Sequence, residues 1–287
     1  MQTVKHLPDL REAVDELRSS GPIAFVPTMG ALHDGHLTLL REAREFAPNV
    51  VASIFVNPTQ FGPNEDLDAY PRQLAEDQAK LEGEGVALLW APGVEDMYPD
   101  GFATSISVAG VSEGLCGASR PGHFDGVATV VCKLFNQVRP DFAIFGEKDW
   151  QQLAVIRRMA RDLDLTQPHA DRIIGIPTVR EADGLAMSSR NAYLSPEQRA
   201  AAATLNVAMH KAIEGIEAGG TVAPILADLE AALLQAGFAS VDYASLADAE
   251  SLELLDEAPK RPARLLVAAR IGTTRLIDNM HVEGRDA

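Results

Sequence analysis

The 287-residue chain has only two cysteines, Cys116 and Cys132, each among small or apolar neighbours. Two such residues cannot build a disulfide framework, and no His or carboxylate cluster lies near them to complete a structural zinc site. They read as ordinary buried thiols of a reducing compartment. Positive charge is also scarce: 25 Lys and Arg stand against 41 Asp and Glu, a formal net charge of −16. A general binder of nucleic acid or of anionic membranes would carry the opposite balance. Any anionic ligand must therefore be held in a local pocket, by a few cations, backbone amides or a metal. No run approaches the roughly 18 apolar residues of a membrane span, and the first ten residues lack the apolar stretch of a secretory leader. The expectation is a cytoplasmic protein, with neither membrane nor nucleic acid as partner.

What is present is ample core: 46% of residues are hydrophobic and 23% charged, which excludes a disordered polymer. From Ile23 onward, short β-like runs alternate with amphipathic helical segments. Ile23–Pro27, Val50–Val56, Val86–Ala91, Phe142–Phe145 and Arg172–Ile176 read as strands. Helices are expected around Leu37–Ala47, Gln73–Glu84, Val127–Val138 and Leu153–Leu163. Alternation of this kind predicts βαβ units and a buried parallel sheet, with ligands outside the carboxyl ends of the strands. Near Val179 the pattern changes. Ser195-Pro196-Glu197-Gln198 has the form of a capping box, predicting one long Ala-rich helix up to Gly219-Gly220. A second helix over Val222–Ala236 follows. Three β-like runs then close the chain, Val241–Leu246, Leu265–Ile271 and Arg275–Asn279, the last two joined closely enough for a hairpin. The fold class is α/β, a Rossmann-like parallel sheet over residues 1–180 followed by a smaller α+β domain over 181–287, with a binding cleft expected between them.

Four segments carry candidate chemistry. Pro27-Thr28-Met29-Gly30-Ala31-Leu32-His33-Asp34-Gly35-His36 ends the first expected strand and opens a helix. Amides at a helix N-terminus favour anions, the two glycines admit a phosphate close to the main chain, and His33 and His36 fall on one side of the first turn. Two imidazoles there can stabilise charge growing on a phosphate; the plainer alternative is one capping and one surface histidine. Asn57-Pro58-Thr59-Gln60-Phe61 follows the second strand and offers uncharged amides, or simply a proline turn. Gly146-Glu147-Lys148-Asp149 offers a cation and a carboxylate able to cap a helix or approach a metal, with Gln152 three residues on, or else a solvated charge cluster. Met187-Ser188-Ser189-Arg190-Asn191 offers two hydroxyls and an arginine to close over a polyphosphate, although taken alone it reads better as a polar linker. Arg120–Phe124 can wall an active site but reads better as a turn or a subunit contact, and the acidic stretch Asn64–Asp68 has carboxylates suggestive of a metal but reads better as solvated.

Taken together, PTMGALHDGH (27–36), FVNPTQFGPNEDLDAYPR (55–72), FGEKDWQQL (145–153) and DGLAMSSRN (183–191), with RPGHFDGVATVV (120–131), resemble the pantoate–β-alanine ligases of the HxGH nucleotidylyl-transferase superfamily. The likeness spans essentially the whole chain. HxGH is shared widely, whereas the NPTQF and GEKDxQQL segments are far more specific. Asp34 stands where glutamate is commoner.

The resemblance implies a two-step reaction. Pantoate attacks the α-phosphate of ATP to give pantoyl adenylate and pyrophosphate, and β-alanine then displaces AMP, with magnesium accompanying ATP. It implies ATP binding by Met29, Gly30, Ala31, Leu32, His33, Asp34, Gly35 and His36, by Gly146, Glu147, Lys148 and Asp149, by Val179, and by Met187, Ser188, Ser189 and Arg190. Pantoate falls to Gln60, Gln152 and Asn57, and β-alanine to Gln60. Catalytic roles fall to His36, the family's labelled proton donor, and to His33, Lys148 and Arg190. Asp149 is the candidate magnesium ligand. The second domain is expected to close over the nucleotide, and family members are usually homodimers. Two rivals remain at this stage: a nucleotidylyl-transferase acting on a different substrate, and a non-catalytic nucleotide-binding module.

Overall fold

A computed structural model describes residues 1–62, 67, 68 and 70–284. Asn64, Glu65 and Asp66 of the acidic stretch lie outside the described residues. The chain divides into two compact units: Met1–Ser112 with Arg120–Glu147 and Gln152–Pro177, and Glu113–Ser119 with Lys148–Gln151 and Thr178–Ala287.

The first unit is built on six parallel strands: β1 (Gln2–Val4), β2 (Ile23–Thr28), β3 (Asn49–Ile54), β4 (Leu88–Trp90), β5 (Phe142–Gly146) and β6 (Ile173–Ile176). Their order across the sheet is β1-β4-β3-β2-β5-β6. Two elements precede the expected series, the edge strand β1 and the helix Leu7–Arg18, which buries Leu10 and Val14. Alternate strand residues face opposite layers. Ala24, Val26, Val50, Ala52 and Ile144 pack with Leu39, Leu40 and Ala43 of the helix Asp34–Phe46 and Leu81 of the helix Leu74–Gly83. Phe25, Val51, Leu88 and Trp90 are buried as well. The indole of Trp90 donates to Oε1 of Gln137, on the helix His123–Val138. Burial on both faces is why these strands read as continuous apolar runs. The chain runs outward from β2 to β3 and β4 on one side and from β5 to β6 on the other. The loops after β2 and β5 therefore flank the point where the order reverses, where open α/β sheets hold their ligands.

The helix His123–Val138 comes unusually close to the turn that follows β3. At Gly126 a side chain would overlap the Thr59 carbonyl and lie 2.8 Å from the Gln60 nitrogen. Only glycine lets the helix backbone and the turn meet.

The second unit has an antiparallel sheet of β7 (Ser240–Asp248), β8 (Ala263–Ile271) and β9 (Thr274–Val282), in that order. The hairpin between β8 and β9 closes with Ile271 paired to Thr274. One sheet face, through Leu265, Val267, Ala269, Leu276 and Met280, packs on helices that contribute Leu205, Met209, Ile216 and Leu233. The capping box at Ser195 forms, with the Gln198 amide donating to Oγ at 3.2 Å and the Ser195 amide donating to Oε1 of Gln198 at 3.0 Å. The single long helix does not. It divides into Pro196–Ala202 and Thr204–Glu217, although Ala203 keeps right-handed dihedrals (φ −60°, ψ −23°). The ladder is interrupted there without the chain leaving the helical region.

The opposite sheet face gathers Leu115, Ala247, Leu266, Trp150 and Tyr243. Both cysteines are free and buried. Cys116 Sγ lies 3.0 Å from the Tyr243 hydroxyl and 3.6 Å from both terminal nitrogens of Arg275, whose Nε donates to Asp242 at 2.7 Å. Burial, and then the Cys116 thiol, push the Tyr243 hydroxyl far above the ordinary tyrosine range.

Two outcomes follow for stability. Gly126→Ala is expected to cost about 1–3 kcal/mol by overpacking, read as a lowered midpoint in denaturant unfolding. Tyr243 stays protonated in the fold at pH values where the unfolded chain ionises it, above about pH 10. Its contribution is thus complete below that pH and declines as pH rises toward the folded value. The unfolding midpoint of the parent should fall more steeply between about pH 9.5 and 11 than that of Tyr243→Phe; parallel curves would refute this.

Candidate active site

The loop between β2 and the helix Asp34–Phe46 is held by side chains from elsewhere in the first unit. Thr28 Oγ1 donates to the Ser53 carbonyl at 2.7 Å and accepts from the Gly30 amide at 3.2 Å. Gly30 and Ala31 are both left-handed (φ +83° and +52°). A side chain at position 30 would press on Asp77 Oδ2 and Ile54 Cγ2, at 3.0 and 3.1 Å. Ala31 adopts this costly conformation because Asp77, only 1% exposed, fixes it. Asp77 Oδ2 accepts from the Ala31 amide and Oδ1 from the Leu32 amide, each at 2.9 Å. Lys80 Nζ donates to the Leu32 carbonyl at 2.7 Å.

His33 is the N-cap: its Nδ1 accepts from the Gly35 amide at 3.2 Å, and His36 Nδ1 accepts from the His33 amide at 3.3 Å. The ring centroids are 4.1 Å apart. A nitrogen that accepts from an amide carries no proton, so each neutral ring bears its proton on Nε2. Both histidines therefore serve the cap, where the plainer alternative had one capping and one on the surface. Several main-chain amides of this loop, those of Gly30, Ala31, Leu32, His33 and Gly35, have partners within the protein.

The turn after β3 is equally fixed. Asn57, 1% exposed, accepts at Oδ1 from the Thr59 amide (3.3 Å), the Thr59 hydroxyl (3.0 Å) and the Tyr98 hydroxyl (2.8 Å). Its Nδ2 donates to Gln60 Oε1 and to the Gly126 carbonyl, both at 3.1 Å. That pins the Gln60 amide, whose Nε2 lies 3.0 Å from Met29 Sδ. Residues from the loops after β2 and β3 thus meet. Burial raises the Tyr98 hydroxyl above its usual range and keeps it a donor.

The segment read as a plain turn proves to be part of this arrangement. His123 Nδ1 lies 2.8 Å from the Gln60 carbonyl and Arg120 donates to the same oxygen at 3.3 Å, while Arg120 and His123 Nε2 are 2.9 Å apart. Neither residue, nor Tyr98 or Asp77, is marked as functional by local sequence pattern. The signal for Arg120 and His123 was their place in RPGHFDGVATVV (120–131), one of the segments that carry the resemblance. Gln152 finds no side-chain hydrogen-bond partner among the described residues and is half-buried. Its neighbour Gln151 is buried, with Oε1 accepting from the Cys116 amide (2.9 Å) and Nε2 donating to the Gly114 carbonyl (2.8 Å).

In the second unit, Lys148 Nζ is 3.7 Å from Asp149 Oδ2 and its side chain is 20% exposed. The segment Met187–Asn191, which taken alone reads as a linker, leaves the second arm of a hairpin. Met187 donates its amide to the Val179 carbonyl and Glu181 donates to the Leu185 carbonyl, both at 2.9 Å. Arg199 bonds both Asp183 and Glu181, and Asn191 Nδ2 donates to Glu181 at 2.8 Å. The Arg199 guanidinium holds the Asp183 carboxyl below its usual range. Ser188 accepts from the Arg190 amide at 3.3 Å and caps the short turn Ser189–Tyr193. Ser188, Ser189 and Arg190 are all half-buried.

Comparison with known proteins gives the family. The family model for pantoate–β-alanine ligase matches residues 2–281. Pantothenate synthetase of Novosphingobium aromaticivorans is 72% identical, covering 98% of this chain and 99% of that protein. The Sphingopyxis alaskensis enzyme is 62% identical over 98% and 100%. Among solved structures, pantothenate synthetase from Thermus thermophilus superposes with a TM-score of 0.91 at 49% identity, over 99% of this chain and 100% of that one. Pantoate–β-alanine ligase from Francisella tularensis, complexed with β-γ ATP and β-alanine, gives 0.82 at 33%, over 98% and 97%. With the family model spanning both units and relatives this similar end to end, the chain belongs to the pantoate–β-alanine ligases, the enzymes that condense pantoate with β-alanine at the expense of ATP.

Proposed function

We propose that the condensation runs through an enzyme-bound adenylate. A pantoate carboxylate oxygen attacks the α-phosphorus of ATP, the bond to the bridging oxygen breaks, and pyrophosphate leaves. The β-alanine amine then attacks the acyl carbon, AMP departs, and the amine loses a proton. The observation that carries this reading is the His33–His36 pair, each ring held at Nδ1 and acting from Nε2. A neutral Nε2–H aimed at a phosphate oxygen stabilises charge as it accumulates, which is what displacement at phosphorus requires. His36 thus acts as a hydrogen-bond donor to the departing charge, with no covalent intermediate on the protein.

The remaining roles are assigned on the same reading. Residues 29–36, Gly146, Glu147, Val179 and Met187–Arg190 contact ATP, and Lys148 and Arg190 balance phosphate charge. Gln60 and Gln152 hold pantoate, and Asn57 sets the orientation of Gln60. Gln60 also contacts β-alanine. The complex of the Francisella enzyme with β-γ ATP and β-alanine supports these two as ligands here. Magnesium enters with the nucleotide. Asp149 is the residue that would hold such an ion beside the phosphates. When bound, it supplies charge neutralisation at the phosphates. Residues 1–180 and 181–287 act as the two binding domains of a cytoplasmic homodimer. No helix among the described residues is long and apolar enough to cross a membrane, which is compatible with that location.

The test is pyrophosphate and AMP release from ATP and magnesium, first with pantoate and then with β-alanine added. About one equivalent of pyrophosphate with pantoate alone, and continuous AMP release on adding β-alanine, is the expected result. Pyrophosphate that appears only with β-alanine would overturn the adenylate. His36→Ala should slow adenylate formation by about 100-fold or more while ATP binding changes little; equal losses in both would exclude a role confined to the transition state. Asp77→Asn sets an amide N–H against a loop amide. It should cost about 1–3 kcal/mol of stability and slow the pyrophosphate burst, measured by denaturant unfolding and rapid quench.

A further inference from the structure

Strand β9 carries two adjacent buried polar side chains that leave it on opposite faces. Asp278 shares its face with Leu276 and Met280 and receives both terminal nitrogens of Arg180, at 2.6 and 2.9 Å. Arg180 opens the hairpin that carries Val179 and Met187–Arg190. Asn279, 3% exposed, lies on the other face, paired across the ladder with Leu266. Its Nδ2 donates to the Lys148 carbonyl at 2.9 Å, and its Oδ1 accepts from Arg264 at 3.2 Å. The Arg264 guanidinium lies 3.6 Å from the Trp150 ring centre, and the Trp150 indole donates to the Ala249 carbonyl at 2.9 Å. Lys148, Trp150 and Gln151 are thus each fastened within the second unit, while the chain neighbours Glu147 and Gln152 belong to the first.

Sheet pairing does not call for a carboxamide at position 279. An apolar residue would fill a site next to Leu266 without the cost of burying an amide. What the amide adds is a directed bond to the backbone of one residue. We propose that Asn279 is a positioning residue for Lys148, and that Arg264 and Trp150 orient its amide for that task. The inference rests on the assignment of Lys148 to the phosphates given above. Through Asp278 and Asn279, the two cationic side chains assigned there, Lys148 and Arg190, are referred to a single strand.

The test is a double-mutant cycle. Asn279→Asp is nearly isosteric, keeps the acceptor for Arg264, and replaces the donor at the Lys148 carbonyl with an oxygen. It should lower kcat for pantoate-dependent pyrophosphate formation about tenfold, by removing one buried hydrogen bond and leaving its acceptor unpaired, with a smaller change in the KM for ATP. In a Lys148→Ala background the same substitution should change the rate less than about twofold, because the group it positions is gone. Where Asn279→Asp fails to fold, as judged by thermal unfolding, Arg264→Lys enters the same cycle, since it loses both the stack on Trp150 and the planar fork. Additive losses in the Lys148→Ala background would overturn the positioning role and leave the proposed function standing. Unchanged activity of Lys148→Ala alone would overturn the assignment of Lys148, and this inference with it.

Discussion

Asp77 is a buried carboxylate whose oxygens face the amides of Ala31 and Leu32, and the geometry of the proposed phosphate site depends on it. Removing a carboxylate from water costs several kcal/mol unless hydrogen bonds compensate. Two charge-assisted bonds from amides are the compensation, and they hold Ala31 in a left-handed conformation it would otherwise leave. Gly30 before it has room for no side chain beside Asp77 and Ile54. Lys80 then fixes the Leu32 carbonyl, so the loop enters the helix at one angle. The His33 and His36 caps follow from that angle. The loop is therefore complete without a ligand. In phosphate loops the amides are commonly left for the anion; here the amides of Ala31 and Leu32 are committed to a carboxylate.

A second fixed point serves the other half of the chain. The β8–β9 hairpin sets the register of β9, which sends Asp278 to the helix-covered face and Asn279 to the face shared with Trp150 and Leu266. Because strand side chains alternate with a period of two, consecutive residues can reach two different loops. A one-residue slip in this strand would exchange them and detach both. The apolar run Leu276–Met280, which buries the helix-facing side, thereby also sets which loop each polar residue can meet.

Much of this was legible in the sequence, because the information was local. The HxGH string, the GEKD turn and the Ser195 capping box each declare themselves within ten residues, and the alternation of apolar runs with helical periodicity predicts the parallel sheet. What escaped was carried by long-range partners. Asp77 reads as an ordinary acidic residue in the first turn of a polar helix, and its amides lie 46 and 45 residues away. Arg120 and His123 acquire meaning only through the Gln60 carbonyl, about sixty positions earlier. The hairpin Val179–Met187 is held by Arg199 and Asp278, from beyond its ends. The edge strand Gln2–Val4 is three residues long, too short for alternation to register, although Leu7, Leu10, Val14 and Leu17 did carry the period of the helix after it. The division at Ala203 has no counterpart in composition, since alanine favours helix on both sides of it.

The charge balance gives the last constraint. With a net charge of −16, the protein offers its anionic substrates no long-range attraction, so recognition depends on short-range contacts. On the proposed reading the two kinds of contact divide the work. Lys148 and Arg190 are fixed charges, and fixed charges attract a polyphosphate in the ground state nearly as strongly as in the transition state. The imidazoles of His33 and His36 differ, because a neutral donor binds an uncrowded phosphate oxygen weakly and strengthens as negative charge gathers on it. On this reading, neutral donors rather than lysines in the capped loop raise turnover without tightening the hold on ATP.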